Sequence, residues 1–120
     1  VSSKIRPSAC SPSNNRVKLA KDLQKLWDEQ QRKREATSQH KALEAEYSQL
    51  LSRQQQLRQN LGALGKSERE ATIRDRILDD LETSENRRRE LETELAGLDE
   101  QIKQHQLAQQ TLINEIYKAE

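Results

Sequence analysis

His40, His105 and Cys10 are the side chains here with the readiest chemistry. Imidazoles ligate metals and move protons, and a thiolate is a nucleophile. Their placement gives them little to do together. Cys10 is the single cysteine, so it closes no intrachain disulfide and has no second thiolate for a zinc motif. On facing antiparallel helices, argued for below, the two histidines lie about eleven residues apart along the arms, roughly 16 Å. That is too far to share an ion. In that arrangement His40 faces residues near 94, and His105 lies near Glu29, a pairing that would make stability mildly pH-sensitive.

Other chemistry finds no better footing. Carboxylates are plentiful, but paired acid–base catalysis needs a pocket that drives two pKa values apart, and two packed helices form no such concavity. Gly62 and Gly65 lack the spacing and the preceding strand of a phosphate-binding loop. The expectation is a protein that is not an enzyme and carries no cofactor or metal. Two basic runs, Arg32-Lys33-Arg34 and Arg87-Arg88-Arg89, raise the alternative of a nucleic-acid-associated module. Each is bracketed by acids, Glu29 and Glu35 for the first, Glu85 and Glu90 for the second. No aromatic residues interleave with them as single-strand binders require. Nucleic acid is the disfavoured partner.

The elements that must position these residues are written in the leucines. From Ala36, alternating steps of four and three give His40, Leu43, Tyr47, Leu50, Gln54, Leu57, Leu61 and Leu64. From Arg74 the same beat gives Ile77, Leu81, Ser84, Arg88, Leu91, Leu95, Leu98, Ile102, His105, Gln109, Leu112 and Ile116. A repeat of about 3.5 residues keeps a narrow apolar seam turned toward a partner helix. Leu43, Tyr47, Leu50, Leu57, Leu61, Ile77, Leu81, Leu91, Leu95, Leu98, Ile102, Leu112 and Ile116 are the candidate interaction seam. Polar members such as Gln54, Arg88 and Gln109 would fix register.

Composition agrees. Of 120 residues 34% are charged and 32% hydrophobic, with no Phe or Met, too few large apolar side chains for a globular core. A narrow seam needs few. The formal net charge of +1 gives no strong pull toward nucleic acid or acidic membranes. No stretch approaches the roughly 20 apolar residues that span a bilayer. The N-terminus lacks the apolar core of a secretory signal, which favours an intracellular location, although a targeting segment could have been removed before Val1.

Residues 1–15, with Pro7, Pro12, five serines and Asn14-Asn15, read as a flexible tail. Asn14 or Asn15 is the expected N-cap of a first helix over residues 16–61. Gly62 or Gly65 is expected to end it in the left-handed conformation. Ser67-Glu68-Arg69-Glu70 has the spacing of a capping box, making Ser67 the N-cap of a second helix over residues 68–118. A turn at 62–67 between long helices implies antiparallel neighbours. Leu57 would then face Ile77, Leu50 Ser84, Leu43 Leu91, and Tyr47 would stack on Arg88.

Around the turn, Gln56-Leu57-Arg58-Gln59-Asn60-Leu61, then Leu64, then Arg74-Asp75-Arg76-Ile77-Leu78-Asp79-Asp80-Leu81, with Glu85, Arg87 and Leu91, carries a pattern. Over about residues 40–116 it resembles the C-terminal coiled coil of mucoidy-inhibitor-A-like proteins, with Ile77 where that family has an aromatic. The resemblance implies a helical hairpin projecting from a larger protein, with no assigned catalytic residues.

The sequence therefore predicts an all-α, antiparallel two-helix coiled-coil hairpin over residues 16–120, preceded by a disordered tail. Leu51, Ile73, Leu78 and Ile113 lie beside the seam and leave room for two hairpins to pair into a four-helix assembly. Leu23, Trp27, Leu107, Ile113 and Tyr117 widen the apolar surface at the end away from the turn, the candidate docking end for a partner. The expected function is structural: protein–protein association through helix packing, as a homo-oligomer, with another protein, or as an accessory piece of a larger assembly.

Overall fold

The computed structural model describes the backbone of residues 2–118 and the side chains of residues 14–118. Two α-helices, α1 (Ser2–Ala63) and α2 (Glu68–Lys118), pack against each other as the arms of an antiparallel hairpin, and no strand occurs among the described residues. The tail expected over residues 1–15 lies, up to residue 13, outside the described side chains. Asn14 and Asn15 sit within α1 and do not cap it. Asparagine costs a helix less than about 0.7 kcal/mol relative to alanine, too little to end one unaided. The chain divides into two compact units, one of Ser38–Asp99, the other of Val1–Thr37 with Glu100–Glu120.

The Ser38–Asp99 unit holds the reversal. No glycine among the described residues has a positive φ, so the left-handed ending expected at Gly62 or Gly65 does not occur. Gly62 is helical, and α1 closes with the Leu64 N–H donating to the Leu61 carbonyl at 3.3 Å, a tightened last turn. A Cβ at Gly65 would stand 2.9 Å from Glu70 Oε2, the tip of a flexible side chain, so it would displace that carboxylate and not the backbone.

The capping box forms with a variation. The Glu70 N–H donates to Ser67 Oγ at 3.2 Å, and that hydroxyl donates to Glu70 Oε1 at 2.7 Å. The Ala71 N–H reaches the Ser67 carbonyl at 2.8 Å, the first bond of α2. The other Glu70 oxygen accepts from the Gly65 N–H, not from the cap residue's own amide, and Arg74 donates to the Gly65 carbonyl.

Leu57, Ile77, Leu91 and Leu98 are buried in this unit, and Leu43, Tyr47, Leu50, Leu61, Leu81 and Leu95 are half-buried. One polar layer interrupts them. Gln54, 2% exposed, donates to Ser84 Oγ at 3.2 Å and to Glu85 at 3.3 Å, while Ser84 donates to the Leu81 carbonyl at 3.0 Å. Gln54, one helical turn beyond Leu50, is thus the residue that meets Ser84. Tyr47 likewise donates its hydroxyl to Glu92 at 3.0 Å, and His40 meets Asp99 in place of residues near 94. These bonds stand about one turn off the expected pairing, because a knob enters a hole whose sides are a turn apart and faces two levels of the other helix.

The other unit is built differently. Among its described residues the one buried apolar side chain is the small Ala36, 5% exposed, and Asp22 is 6% exposed. Leu26, Ile102, Leu112, Ile113 and Ile116 are half-buried. His105 Nδ1 lies 2.6 Å from Glu29 Oε2, and Gln109 donates to Gln30 at 2.6 Å. Polar side chains span the helices in both units, but in Ser38–Asp99 they accompany four large buried apolar residues and here they do not.

Candidate protein-interaction surface

Heptad spacing gives each helix a seam and two flanks. All thirteen candidate seam residues, from Leu43 to Ile116, are buried or half-buried. Most of the large apolar side chains that remain exposed lie on the flanks.

On one flank of the Ser38–Asp99 unit, charge dominates. Arg87 donates through Nε and Nη2 to both oxygens of Glu46, at 2.6 and 3.0 Å, and through Nη1 to Glu90 at 3.1 Å, with Glu94 at 3.7 Å. Arg53 lies 3.8 Å from Asp80. Hydrogen bonding from Arg87 pulls the Glu46 carboxyl below its ordinary value of 4.5 and pushes the guanidinium upward in turn. Arg88, bonded to Glu85 and 3.4 Å from Glu92, is raised in the same way, and its hydrogen bond is the main cause of the lowered Glu85 carboxyl. Tyr47 and Arg88 meet at the same Glu92 oxygen, the hydroxyl donating to it at 3.0 Å and the guanidinium at 3.4 Å. The two arginines are thereby engaged with acids of the same chain.

A shallow open groove of about 290 Å³ is lined by Leu50, Arg53, Asp80, Thr83, Ser84 and Arg87. Ion pairs cross it, and it encloses no substrate-sized space. His40 has Glu44 2.7 Å from Nδ1 and Asp99 2.8 Å from Nε2, so the two carboxylates lie on opposite ring nitrogens and cannot join the ring on one ion. Among the described residues no three His, Cys, Asp or Glu side chains converge as a metal site. Cys10 lies outside the described side chains. Among the described residues no helix is long and apolar enough to cross a membrane.

Large apolar side chains stand exposed on both units. On Ser38–Asp99 these are Leu51, Ile73 and Leu78, each between 41% and 45% exposed. On the other unit Leu23 is 50%, Trp27 59% and Tyr117 70% exposed, with Ile113 half-buried. The Gln30–Gln109 bond relates the two rows that carry them. Leu23 and Trp27 stand seven and three residues before Gln30, and Ile113 and Tyr117 four and eight after Gln109. Each row therefore runs along one side of its helix away from the same bond, and the antiparallel chain sense lays them side by side. Leu107, 53% exposed, precedes Gln109 by two residues and projects from the far side. It does not belong to the surface made by the other four.

Two features lay beyond the sequence reading. Asp22 occupies a seam position, three residues after Leu19 and four before Leu26. The heptad spacing therefore extends back past Ala36 with an acid inside it. The bidentate Arg87–Glu46 bridge joins flank positions of the two helices, which the apolar seam by itself does not single out.

Comparison with known proteins finds no match to a family model, a characterised protein or a solved structure.

Proposed function

We propose that this chain is a structural coiled-coil hairpin that mediates protein–protein association through helix packing. One observation carries the reading. The seam is occupied along its length, yet Leu23, Trp27 and Tyr117 remain half or more exposed on a hairpin with few large apolar side chains to spend. Exposed aromatic anchors of this kind dominate interface energies. The hairpin supplies a rigid, low-entropy platform, so a helix laid against it loses little freedom on the platform's side.

The nucleic-acid alternative draws less support. Arg87 and Arg88 are held by Glu46, Glu85, Glu90 and Glu92, and Arg32 lies 3.5 Å from Glu29. Cations engaged this way release few counterions on meeting a phosphate backbone.

Sedimentation equilibrium with circular dichroism tests the proposal. The expected result is a helical spectrum at micromolar concentration, with association, to itself or an added partner, that Trp27→Ser abolishes without loss of helicity. A random-coil spectrum, or association indifferent to Trp27, would remove the reading. Duplex binding that weakens steeply with salt would favour the alternative.

A further inference from the structure

The flank that bears Leu23, Trp27, Ile113 and Tyr117 has a charge of one sign. About 100° of rotation per residue places Arg16 and Arg34 in the same row as Leu23 and Trp27 on α1. It places Lys103 on the matching side of α2, with Gln106 and Gln110 between it and Tyr117. The acids of this unit point elsewhere. Glu100 projects from the back of α2, Asp28, Glu35 and Glu115 lie toward the opposite flank, and Asp22 and Glu29 turn into the seam. Within the described residues of this unit, then, this flank combines four apolar side chains with three cations and no anion; the next acid along the row is Asp99 of the other unit, one turn before Lys103 and 2.8 Å from His40.

We propose that this flank binds an amphipathic helix with acidic edges, supplied by a partner protein, as the third helix of a bundle. The inference rests on the association role above and names the partner's chemistry. A groove between two packed helices accepts a third helix by ridges-into-grooves packing. Leu23 and Ile113 form its walls beside the seam, and the Gln30–Gln109 bond forms one end of its floor. Trp27 and Tyr117 stand farther out, where an incoming apolar stripe would meet them. Arg16, Arg34 and Lys103 lie along the edges, where the partner's charged residues would fall.

A second copy is the poorer occupant. Two-fold pairing through this flank sets the same surface against itself, and every charge on it is positive. Like charges opposed across an interface disfavour the pairing. A lipid surface would use the cations and Trp27. It gains nothing from a groove, and the glutamines on both rows reduce the apolar face that insertion needs.

Trp27 is the only tryptophan, so its fluorescence reports on this flank alone. The probe is a synthetic peptide of about three heptads with leucine at the seam positions and glutamate beside them. Its control carries lysine for glutamate. The expected result is a blue shift of Trp27 with the acidic peptide, at an affinity about tenfold or more above the control and weakened by salt. Arg34→Glu/Lys103→Glu, both exposed and checked for helicity, should reverse the preference.

Equal binding of both peptides overturns the acidic-partner inference and leaves helix docking standing. Binding of neither overturns both the inference and the role of this end in association. A blue shift that grows with protein concentration alone assigns the flank to a second copy. One produced by phosphatidylserine vesicles but by neither peptide assigns it to a membrane. Either overturns the proposal.

Discussion

The two units meet the same demand, holding two helices together, by opposite means. In Ser38–Asp99 the seam is leucine-rich, with four large apolar residues buried and a single polar layer at Gln54 and Ser84. In the other unit the buried seam residues are Ala36 and Asp22, and the cross-helix bonds run between Glu29 and His105 and between Gln30 and Gln109. The first buries its apolar seam and leaves Leu51, Ile73 and Leu78 partly exposed beside it. The second leaves much of its apolar surface on a flank, at Leu23, Trp27 and Tyr117. The lesson is that two helices can be held by a buried leucine seam or by polar pairs, and that the second solution leaves Leu23, Trp27 and Tyr117 at the surface.

The contrast is sharpest in local opening. Amides of residues 43–98 should be protected from hydrogen exchange by about a hundredfold or more relative to those of residues 16–35 and 102–116, because buried apolar area sets the cost of opening. Equal protection would erase the distinction. Core truncation should follow the same line. Leu91→Ala, at a fully buried site, should cost about 3 kcal/mol in chemical denaturation, and Leu112→Ala, at a half-buried one, roughly 1 kcal/mol. The comparison can also be reversed by design. Glu29→Leu with His105→Leu replaces a spanning polar pair by an apolar one and should stabilise the second unit by about 1 kcal/mol.

Acid should act on the Ser38–Asp99 unit. Arg87 lowers the Glu46 carboxyl, the Ser67 hydroxyl and then the Gly65 N–H lower that of Glu70, and Arg88 lowers that of Glu85. Their charged forms are favoured by folding, so the stability they contribute is present above the unfolded value of 4.5. It is lost as pH falls through the lower folded values. All three are only half-buried and open to solvent screening, so the loss should be modest. Thermal melts from pH 6 to pH 2 should decline chiefly below 4.5, and a Glu46→Gln, Glu85→Gln variant should show a shallower decline. The smallest expected effect is at Gly97, where a Cβ meets nothing within 4 Å and alanine should add a little under about 1 kcal/mol of helix stability.

Much of this architecture was legible in the sequence, and for identifiable reasons. Leu57, Ile77, Leu91 and Leu98 fall on a strict heptad beat and are buried. Ser67 and Glu70 have capping-box spacing and form the bonds it implies. Local signals of this kind depend on neighbours a few residues away. The level at which Gln54 meets Ser84, and His40 Asp99, depends on how two faces interdigitate across the molecule, and the periodicity of either helix alone leaves a turn of latitude. Asp22 was hidden for a different reason. A carboxylate inside a seam contradicts the hydropathy pattern by which a seam is recognised. The candidate docking surface was half legible. Its apolar residues stood out by type, but Leu107 was grouped with them by nearness in the chain, and only the Gln30–Gln109 bond separates the faces.

The bonds at the reversal have one further implication. Gly65 is gripped at its amide by Glu70 and at its carbonyl by Arg74, and both of those side chains belong to the first two turns of α2. The instruction to double back is therefore carried by the arriving helix, not the departing one. A segment of about ten residues, 64–74, should act as a transferable clasp: spliced between two unrelated heptad helices, it should bring the second back along the first.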